Sequence, residues 1–229
     1  MKRILVTGGT SGIGLAIAEG FAAAGWRVTA AGLGVEAAEV EGLEFVELDV
    51  TDAAAVRDCL AGFERLDALV NAAGVIRRHE ELEPEVFAAV LDVNLNGTLR
   101  CCVEARPRLA AAKGSVINIA SMLSFFGGGA VPAYSASKGG IAQLTKSLAI
   151  AWAGDGIRVN ALAPGWIATP LTRALRDDPA REAAILSRTP MGRWGRPEEL
   201  VGPALFLAGE AASFVTGAVL TVDGGYSIM

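Results

Sequence analysis

Short apolar runs alternate with longer helical stretches along the 229-residue chain. The runs lack the alternation of polar and apolar residues that marks a half-exposed strand; they cover 3–8, 26–32, 43–50, 66–74, 114–121, 157–165 and 217–225. Strands that are apolar on both faces and separated by helices indicate a parallel sheet covered on both sides. No repeat, linker or low-complexity segment divides the chain. We therefore expect a single α/β domain, a doubly wound parallel sheet in three layers, α/β/α.

The helices are predicted from apolar periodicity and from residues that commonly begin or end helices. They cover 13–25, 51–63, about 83–112 and about 134–153, and two polar helical stretches lead to the last strand. The connection at 33–42 is long enough only for a short helix or a turn.

Composition excludes several classes of protein. A formal charge of -5 and a pI near 5.0 argue against a nucleic-acid surface. No apolar run reaches the roughly 18 residues that span a bilayer, and the start "MKRILVTGG" is too short for a signal segment. The three cysteines show no metal-ligand spacing and His79 is the only histidine, so we expect no metal site, no disulfide framework and a cytoplasmic protein.

A glycine-rich stretch, "TGGTSGIG" (7–14), lies where the first strand becomes the first helix. A phosphate group needs a tight turn, close backbone approach and a helix N-terminus, and Gly8, Gly12 and Gly14 can supply them. The same stretch could be an ordinary strand–helix turn. Its position at the first junction favours a dinucleotide site.

The spacing G-x-x-x-G-x-G in this turn is joined by "NAAG" (71–74), "SVINIAS" (115–121) and "YSASK" (134–138). In this order, with Ser121 and Tyr134 separated by 13 positions, the motifs resemble the short-chain dehydrogenase/reductase family over nearly the whole chain. The resemblance implies a Rossmann-like fold. It also implies NAD(P)-dependent hydride transfer between nicotinamide and a secondary alcohol or ketone.

The resemblance assigns four catalytic residues. Tyr134 is expected to be the general acid/base, with its pKa lowered by Lys138 and by the positively charged nicotinamide. Ser121 is expected to hold the substrate oxygen. Asn94, in "LDVNLNG", is expected to hold a water that links Lys138 to solvent. Taken singly, Ser121 could be a helix cap and Asn94 an amide in the interior of a helix. Tyr134 and Lys138 could be an exposed pair.

The same resemblance implies a cofactor-binding set of 19 residues. They are Gly8, Ser11, Gly12, Ile13, Gly14, Gly32, Leu33, Asp49, Val50, Asn71, Ala72, Ala73, Gly74, Tyr134, Lys138, Pro164, Gly165, Ile167 and Thr169.

The sequence indicates less clearly whether NAD or NADP is the preferred cofactor. Gly32 stands where NAD-preferring relatives carry an acidic residue, and Leu33 and Ser11 stand where NADP-preferring relatives carry a basic one. Because a 2′-phosphate needs a cationic partner, we expect NAD to be preferred, with NADP left open.

Substrate recognition is expected from two stretches that follow the strands. "VIRR" places Arg77 and Arg78 beyond the cofactor loop, and about 168–195 is expected to form a substrate lid. Both stretches resemble those of 2-deoxy-gluconate and gluconate dehydrogenases, whose sugar-acid substrates an arginine could bind through the carboxylate. The arginines could instead be solvated or lie at a subunit interface. "GRWGRPEEL" (192–200) also resembles the 3-oxoacyl-thioester reductases.

Two further expectations concern the whole protein. A nucleotide-binding regulator without turnover is the alternative from a different class, although such proteins usually lose the tyrosine or the lysine. The small-molecule enzyme is also expected to be a homotetramer, because relatives pack helices like those near 83–112 and 134–153 across a two-fold interface.

Overall fold

The computed structural model of the protein describes residues 1–35 and 40–229, so the centre of the connection predicted at 33–42 lies outside the described residues. Seven parallel strands form one sheet in the order β3-β2-β1-β4-β5-β6-β7. They are β1 (Arg3–Thr7), β2 (Arg27–Gly32), β3 (Leu43–Glu47), β4 (Ala68–Asn71), β5 (Ser115–Ile119), β6 (Arg158–Pro164) and β7 (Val219–Val222). All seven predicted strands are present and shorter than their apolar runs, most of all β4 and β7, which cover less than half of 66–74 and 217–225.

Eight α-helices lie in the described part of the chain. They are α1 (Gly12–Ala23), α2 (Ala53–Ala61), α3 (Pro84–Leu91), α4 (Thr98–Ala112), α5 (Pro132–Trp152), α6 (Arg173–Arg176), α7 (Pro179–Ser187) and α8 (Val201–Ala208).

The two faces of the sheet are both covered, because successive strand residues point to opposite sides. Leu5 of β1 faces a core built with α2, α4 and α5, in which Cys101, Cys102 and Trp152 are buried. Ile4 and Val6 face the other core, built with α1 and α8 around Phe21. The predicted three-layer, doubly wound α/β architecture is thereby confirmed.

The strand order reverses beside β1, which pairs with β2 on one side and β4 on the other. The chain therefore leaves the carboxyl ends of β1 and β4 in opposite directions. Such a switch point opens a crevice at the carboxyl edge of a parallel sheet, where ligands bind.

The helix predicted over 83–112 differs from expectation at its centre. Residues Asp92–Gly97 form a π-helical turn between α3 and α4. By length and hydropathy alone, Pro84–Ala112 could cross a membrane. Its apolar character is explained by the sheet, because Cys101, Cys102 and Leu109 of α4 are buried in the core. The helical stretch α8 is also apolar rather than polar, since Ala204, Leu207 and Ala208 are buried there.

Candidate active site

The turn between β1 and α1 lies at the switch point. Gly8 has φ +66°, and a Cβ on it would lie 2.5 Å from the backbone nitrogen of Ala73. Gly12 has φ +54°. Only glycine meets both requirements at Gly8, because the backbone is left-handed and the chain after β4 passes directly against it.

The N-terminus of α1 points into the crevice from this turn. Ser11 is the N-cap residue and is extended at φ −159°, and among the described residues its side chain makes no capping hydrogen bond. The first backbone N–H groups of the helix are therefore left to a ligand, and the positive end of the helix dipole favours an anion there. The residues present fit a dinucleotide pyrophosphate.

A cleft of about 360 Å³ runs from this turn to α5. It is lined by ten residues of the expected cofactor and catalytic sets: Gly8, Ser11, Gly12, Ile13, Gly14, Ala72, Gly74, Tyr134, Lys138 and Thr169. Thr10, Ile119, Pro170 and Leu171 also line it and were not predicted.

Several expected cofactor residues do not open onto this cleft. Asn71 is buried, and its Nδ2 donates to Asn118 Oδ1 at 2.9 Å and to Cys102 Sγ at 3.2 Å. Val50 is 5% exposed. Asp49 accepts from the backbone nitrogen of Thr51 at 2.8 Å. Ala73, Pro164, Gly165 and Ile167 do not line the cleft either, since Pro164 and Ile167 are buried and Gly165 lines the neighbouring cavity.

The adenosine corner, which the resemblance assigns to the adenosine ribose, lies beyond the carboxyl end of β2 and includes Gly32 and Leu33. Thr10 Oγ1 donates to the carbonyl oxygen of Leu33 at 3.3 Å. A Cβ on Gly32 would lie 2.9 Å from the same Thr10 oxygen, so a larger residue would force Thr10 to move. Glu47, which pairs with Gly32 from β3, accepts from the backbone nitrogens of Gly34 at 3.3 Å and Val35 at 3.1 Å. A carboxylate from the neighbouring strand therefore lies in the loop where a β2 carboxylate is missing.

Tyr134, Lys138 and Ser121 meet where α5 passes the end of β5. Tyr134 and Lys138 are one helical turn apart, and Lys138 Nζ lies 5.5 Å from the centre of the tyrosine ring. Lys138 Nζ donates to the carbonyl oxygen of Ile119 at 2.6 Å. Ser121 follows β5, caps a short 3₁₀ turn by accepting from the backbone nitrogen of Leu123 at 3.1 Å, and lines the same cavity as Tyr134.

Burial is the main influence on the pKa values of Tyr134 and Lys138. It raises the pKa of Tyr134 above its ordinary value, although the Ser121 hydroxyl and the charge of Arg78 act in the opposite direction. Burial also lowers the pKa of Lys138 to about 8. The expected lowering of the tyrosine pKa by Lys138 is therefore not a property of the protein alone, because desolvation of the phenolate outweighs the nearby cations.

Asn94 lies in the π-helical turn and is completely buried. Its Oδ1 accepts from the backbone nitrogen of Val75 at 2.8 Å. Its Nδ2 donates to Val75 O at 3.0 Å and to Ser137 Oγ at 3.1 Å. The amide thus fastens the chain after β4 to α5. A Cβ on Gly74 would lie 3.4 Å from Asn94 Oδ1 and 3.8 Å from Lys138 Nζ, so the two groups flank the same glycine.

Glu81 is a site residue that the sequence did not reveal. It is fully buried, its Oε2 accepts from the backbone nitrogen of Tyr134 at 2.8 Å, and its Oε1 accepts from that of Arg77 at 2.8 Å. The surrounding "RRHEELE" is rich in charge and favours a solvated loop, so no sequence signal separates Glu81 from the exposed Glu80.

A second cavity, of about 350 Å³, adjoins Ser121 and Tyr134. Three arginines line it: Arg78 from the loop after β4, and Arg181 and Arg188 from α7 and its end. The Arg188 guanidinium lies 4.5 Å from the centre of the Tyr226 ring, and Arg181 Nε lies 3.4 Å from Asp178 Oδ2. Arg77, by contrast, is exposed.

The crevice, the glycine turn and the Ser–Tyr–Lys group define a dinucleotide-binding oxidoreductase. A family model described as enoyl-(acyl carrier protein) reductase matches residues 8–227. A 2-dehydro-3-deoxy-D-gluconate 5-dehydrogenase of Pseudoalteromonas atlantica is 45% identical, the match covering 98% of this chain and 95% of that protein. The chain belongs to the short-chain dehydrogenase/reductase family.

Solved structures of relatives agree with this assignment. A gluconate 5-dehydrogenase from Burkholderia cenocepacia, in complex with NADP and tartrate, is 37% identical with a TM-score of 0.94, over 100% of this chain and 96% of that one. A protein from Agrobacterium tumefaciens with bound NADP is 44% identical with a TM-score of 0.91, over 100% and 97% of the two chains. The protein is therefore an NAD(P)-dependent oxidoreductase, as the sequence predicted.

Proposed function

We propose that the protein interconverts a secondary alcohol and a ketone on a small sugar acid, with NAD as the preferred cofactor. One observation carries the proposal. The cavity next to the Ser121–Tyr134 pair is lined by three guanidinium groups, which suit a substrate carboxylate.

Each residue of the site has a role in this reaction. Tyr134 gives a proton to the carbonyl oxygen in reduction and takes one from the alcohol in oxidation. Ser121 holds the same substrate oxygen by a hydrogen bond. Lys138 and the positively charged nicotinamide favour the phenolate, offsetting the burial that raises the tyrosine pKa. Asn94 orders a water that connects Lys138 to solvent. The bound dinucleotide supplies or accepts the hydride.

The carboxylate of the substrate is bound by Arg78 on one side and by the segment at about 168–195 on the other. That segment includes α6 and α7, and it contributes Leu171, Thr172, Leu175 and two arginines to the cavity wall. Because it lies over the proposed reaction centre, it serves as the substrate lid. Arg78 rather than Arg77 is the recognition residue, since Arg77 is exposed.

The preference for NAD is supported by the adenosine corner. Glu47 lies against the loop after β2, and the sequence contains neither lysine nor arginine between residues 28 and 56. A 2′-phosphate would therefore meet a carboxylate and gain no nearby cation from this part of the chain. A ribose 2′-hydroxyl can donate to the same carboxylate.

An acyl-thioester reductase is the second candidate. The matching family model is described by a reductase of acyl thioesters, although of their C=C bond rather than a ketone, and apolar residues line the cavity, among them Met122, Leu123 and Leu175. Acetoacetyl thioesters would then be reduced faster than any sugar acid is oxidised.

A substrate panel tests these proposals. Reduced-cofactor absorbance is followed as it rises with D-gluconate, 2-deoxy-D-gluconate and neutral alditols of the same length, each with NAD and NADP. It is followed as it falls with acetoacetyl-coenzyme A, with NADH and with NADPH. We expect turnover of an acid, faster than of the matched alditol, and a fall of about 10²–10⁴-fold in the Tyr134→Phe variant. Tight binding of NADH without turnover of any compound would contradict an enzyme of this kind.

The enzyme is further proposed to be a cytoplasmic homotetramer. Apolar side chains are exposed on α4, α5, α8 and the edge strand β7, in keeping with contacts between subunits. The thiols of Cys101 and Cys102 are unpaired and buried, which suits a reducing compartment.

A further inference from the structure

The carboxylate of Glu81 is placed unusually for an ionisable side chain. It has no solvent-exposed surface, and both of its oxygens accept backbone hydrogen bonds of 2.8 Å. Transfer of a carboxylate out of water is costly unless hydrogen bonds and charges compensate it. The two N–H donors, from Arg77 and Tyr134, provide that compensation and join two separate segments of the active site.

One of those donors belongs to the first turn of α5. Val131 is the N-cap residue of this helix and, within the described residues, makes no side-chain capping bond. Pro132 follows it and has no N–H group to satisfy. Glu81 therefore caps the helix from a distant loop, and its negative charge is favourable at the positive end of the helix dipole.

Charged and polar groups surround the Tyr134 phenol from several elements. Arg78 and Glu81 lie on the loop after β4, Ser121 follows β5, and Lys138 is on α5 itself. Arg181 and Arg188 line the same cavity from α7. At the phenol, Arg78 acts to lower the tyrosine pKa and Glu81 acts to raise it.

We propose that Glu81 is a positioning residue: it clamps the first turn of α5 to the loop that carries Arg78, and so fixes Tyr134 at the edge of the substrate cavity. This inference rests on the proton-transfer role proposed above for Tyr134. The Glu81 carboxylate both fixes the position of Tyr134 and places a negative charge near its phenol. Its removal should therefore change the position of Tyr134 and also the pKa of its phenol.

The chain offers a direct optical test, since it contains only two tyrosines. In the full-length Tyr226→Phe variant, Tyr134 is the only tyrosine, and its ionisation is read from the ultraviolet absorbance of tyrosinate. Glu81→Gln in this background keeps a similar shape and removes the charge. We expect the Tyr134 titration midpoint to fall, because the nearby negative charge that opposes the phenolate is lost.

Two further variants separate charge from structure. Glu80→Gln removes the neighbouring exposed carboxylate and should leave the midpoint unchanged. Glu81→Asp keeps the charge with a shorter reach, so it should restore most of the wild-type midpoint. It should also show faster amide hydrogen exchange in the peptide that contains Tyr134. Far-ultraviolet circular dichroism at each pH verifies that the chain is folded.

The outcomes are distinct from those of the substrate panel. An unchanged midpoint in folded Glu81→Gln would overturn the inference, and so would equal shifts in the Glu80 and Glu81 variants. If Glu81→Gln does not fold, Glu81→Asp decides, since unchanged hydrogen exchange at Tyr134 would also overturn it. Activity that survives in Tyr134→Phe would instead refute the proposed function.

Discussion

Lys138 is an ammonium group enclosed by protein, with 5% of its surface exposed and one hydrogen bond to Ile119. Burial lowers its pKa to about 8. A buried charge of this kind opposes folding, and catalysis is a reason to retain it.

The pH dependence of stability should reveal this cost. The folded-state pKa of Lys138, about 8, lies below the ordinary value of 10.5. Between those two values the unfolded chain binds more protons than the folded one, so this group makes folding more favourable as pH rises. Relative to Lys138→Met, the wild type should gain about 1–3 kcal/mol in unfolding free energy across that window.

Urea denaturation from about pH 7 to about pH 10 measures this difference. Lys146→Met is the matched control, because Lys146 is exposed on the same helix. Its difference from the wild type should stay constant with pH. If the difference in unfolding free energy between Lys138→Met and the wild type also stays constant with pH, burial does not lower the pKa of Lys138.

Glu47 is the second residue whose charge can be tested. Glu47→Arg replaces the carboxylate beside the loop after β2 with a group that can pair with a 2′-phosphate. We expect the ratio of NADPH to NADH affinity to rise about tenfold or more, measured by fluorescence titration of each cofactor. Glu44→Arg, on the same strand and also exposed, should leave the ratio near that of the wild type. Equal changes in both variants would indicate a general charge effect.

Some residues of the site could be predicted from the sequence and others could not. Tyr134, Lys138 and Ser121 were predicted because their motifs resemble those of the short-chain dehydrogenase/reductase family, and the structure brings them together. Glu81 was missed because its partners are backbone N–H groups at Arg77 and Tyr134, and a backbone partner leaves no trace in the sequence. The ionisation of Tyr134 also depends on burial, which spacing cannot supply.

At the scale of elements, the π-helical turn Asp92–Gly97 holds Asn94 against the chain after β4. Apolar periodicity predicted one helix over 83–112, and it cannot detect a turn widened by one residue. π-Helical turns occur frequently at functional sites, where they redirect a side chain. The strands were easier to predict, because residues buried on both faces form continuous apolar runs.

Gly97 shows how tightly this turn is packed. A Cβ at this position would lie 2.6 Å from Val50 Cγ2, closer than real contacts allow. Gly97→Ala should therefore lower the unfolding free energy by about 1–3 kcal/mol, measured in urea. It should also weaken NADH binding if Val50 borders the adenine.

A glycine without neighbours provides the control for this substitution. Gly202 lies in α8, and a Cβ placed on it meets no described atom within 4 Å apart from its chain neighbours and the backbone of its own helix. Gly202→Ala should raise stability by about 0.5–1 kcal/mol, since alanine loses less conformational freedom in a helix. Equal losses in the two variants would argue against the close contact with Val50.

The whole molecule exposes apolar side chains on two separate regions. The first region is on α4 and α5, where Val103 is 51% and Ile150 is 81% exposed. The second region includes Leu220 on β7 and Phe206 on α8. Because β7 ends the sheet, no strand among the described residues pairs with its outer edge. Two regions of this kind can generate a tetramer with two different two-fold contacts.

A substitution that disrupts the subunit contact through one apolar region should therefore leave the contact through the other region intact. Val103→Glu places a charge in the centre of the first region, and we expect it to convert a tetramer into a dimer in sedimentation equilibrium. Met191→Glu is the matched control for the first region, since Met191 is 67% exposed and lies on neither α4 nor α5, and it should remain tetrameric. A monomeric wild type would refute the assembly, whereas a tetrameric Val103→Glu variant would place the subunit contact on other elements. Since each subunit has its own complete cleft, the dimer should still bind NADH with wild-type affinity.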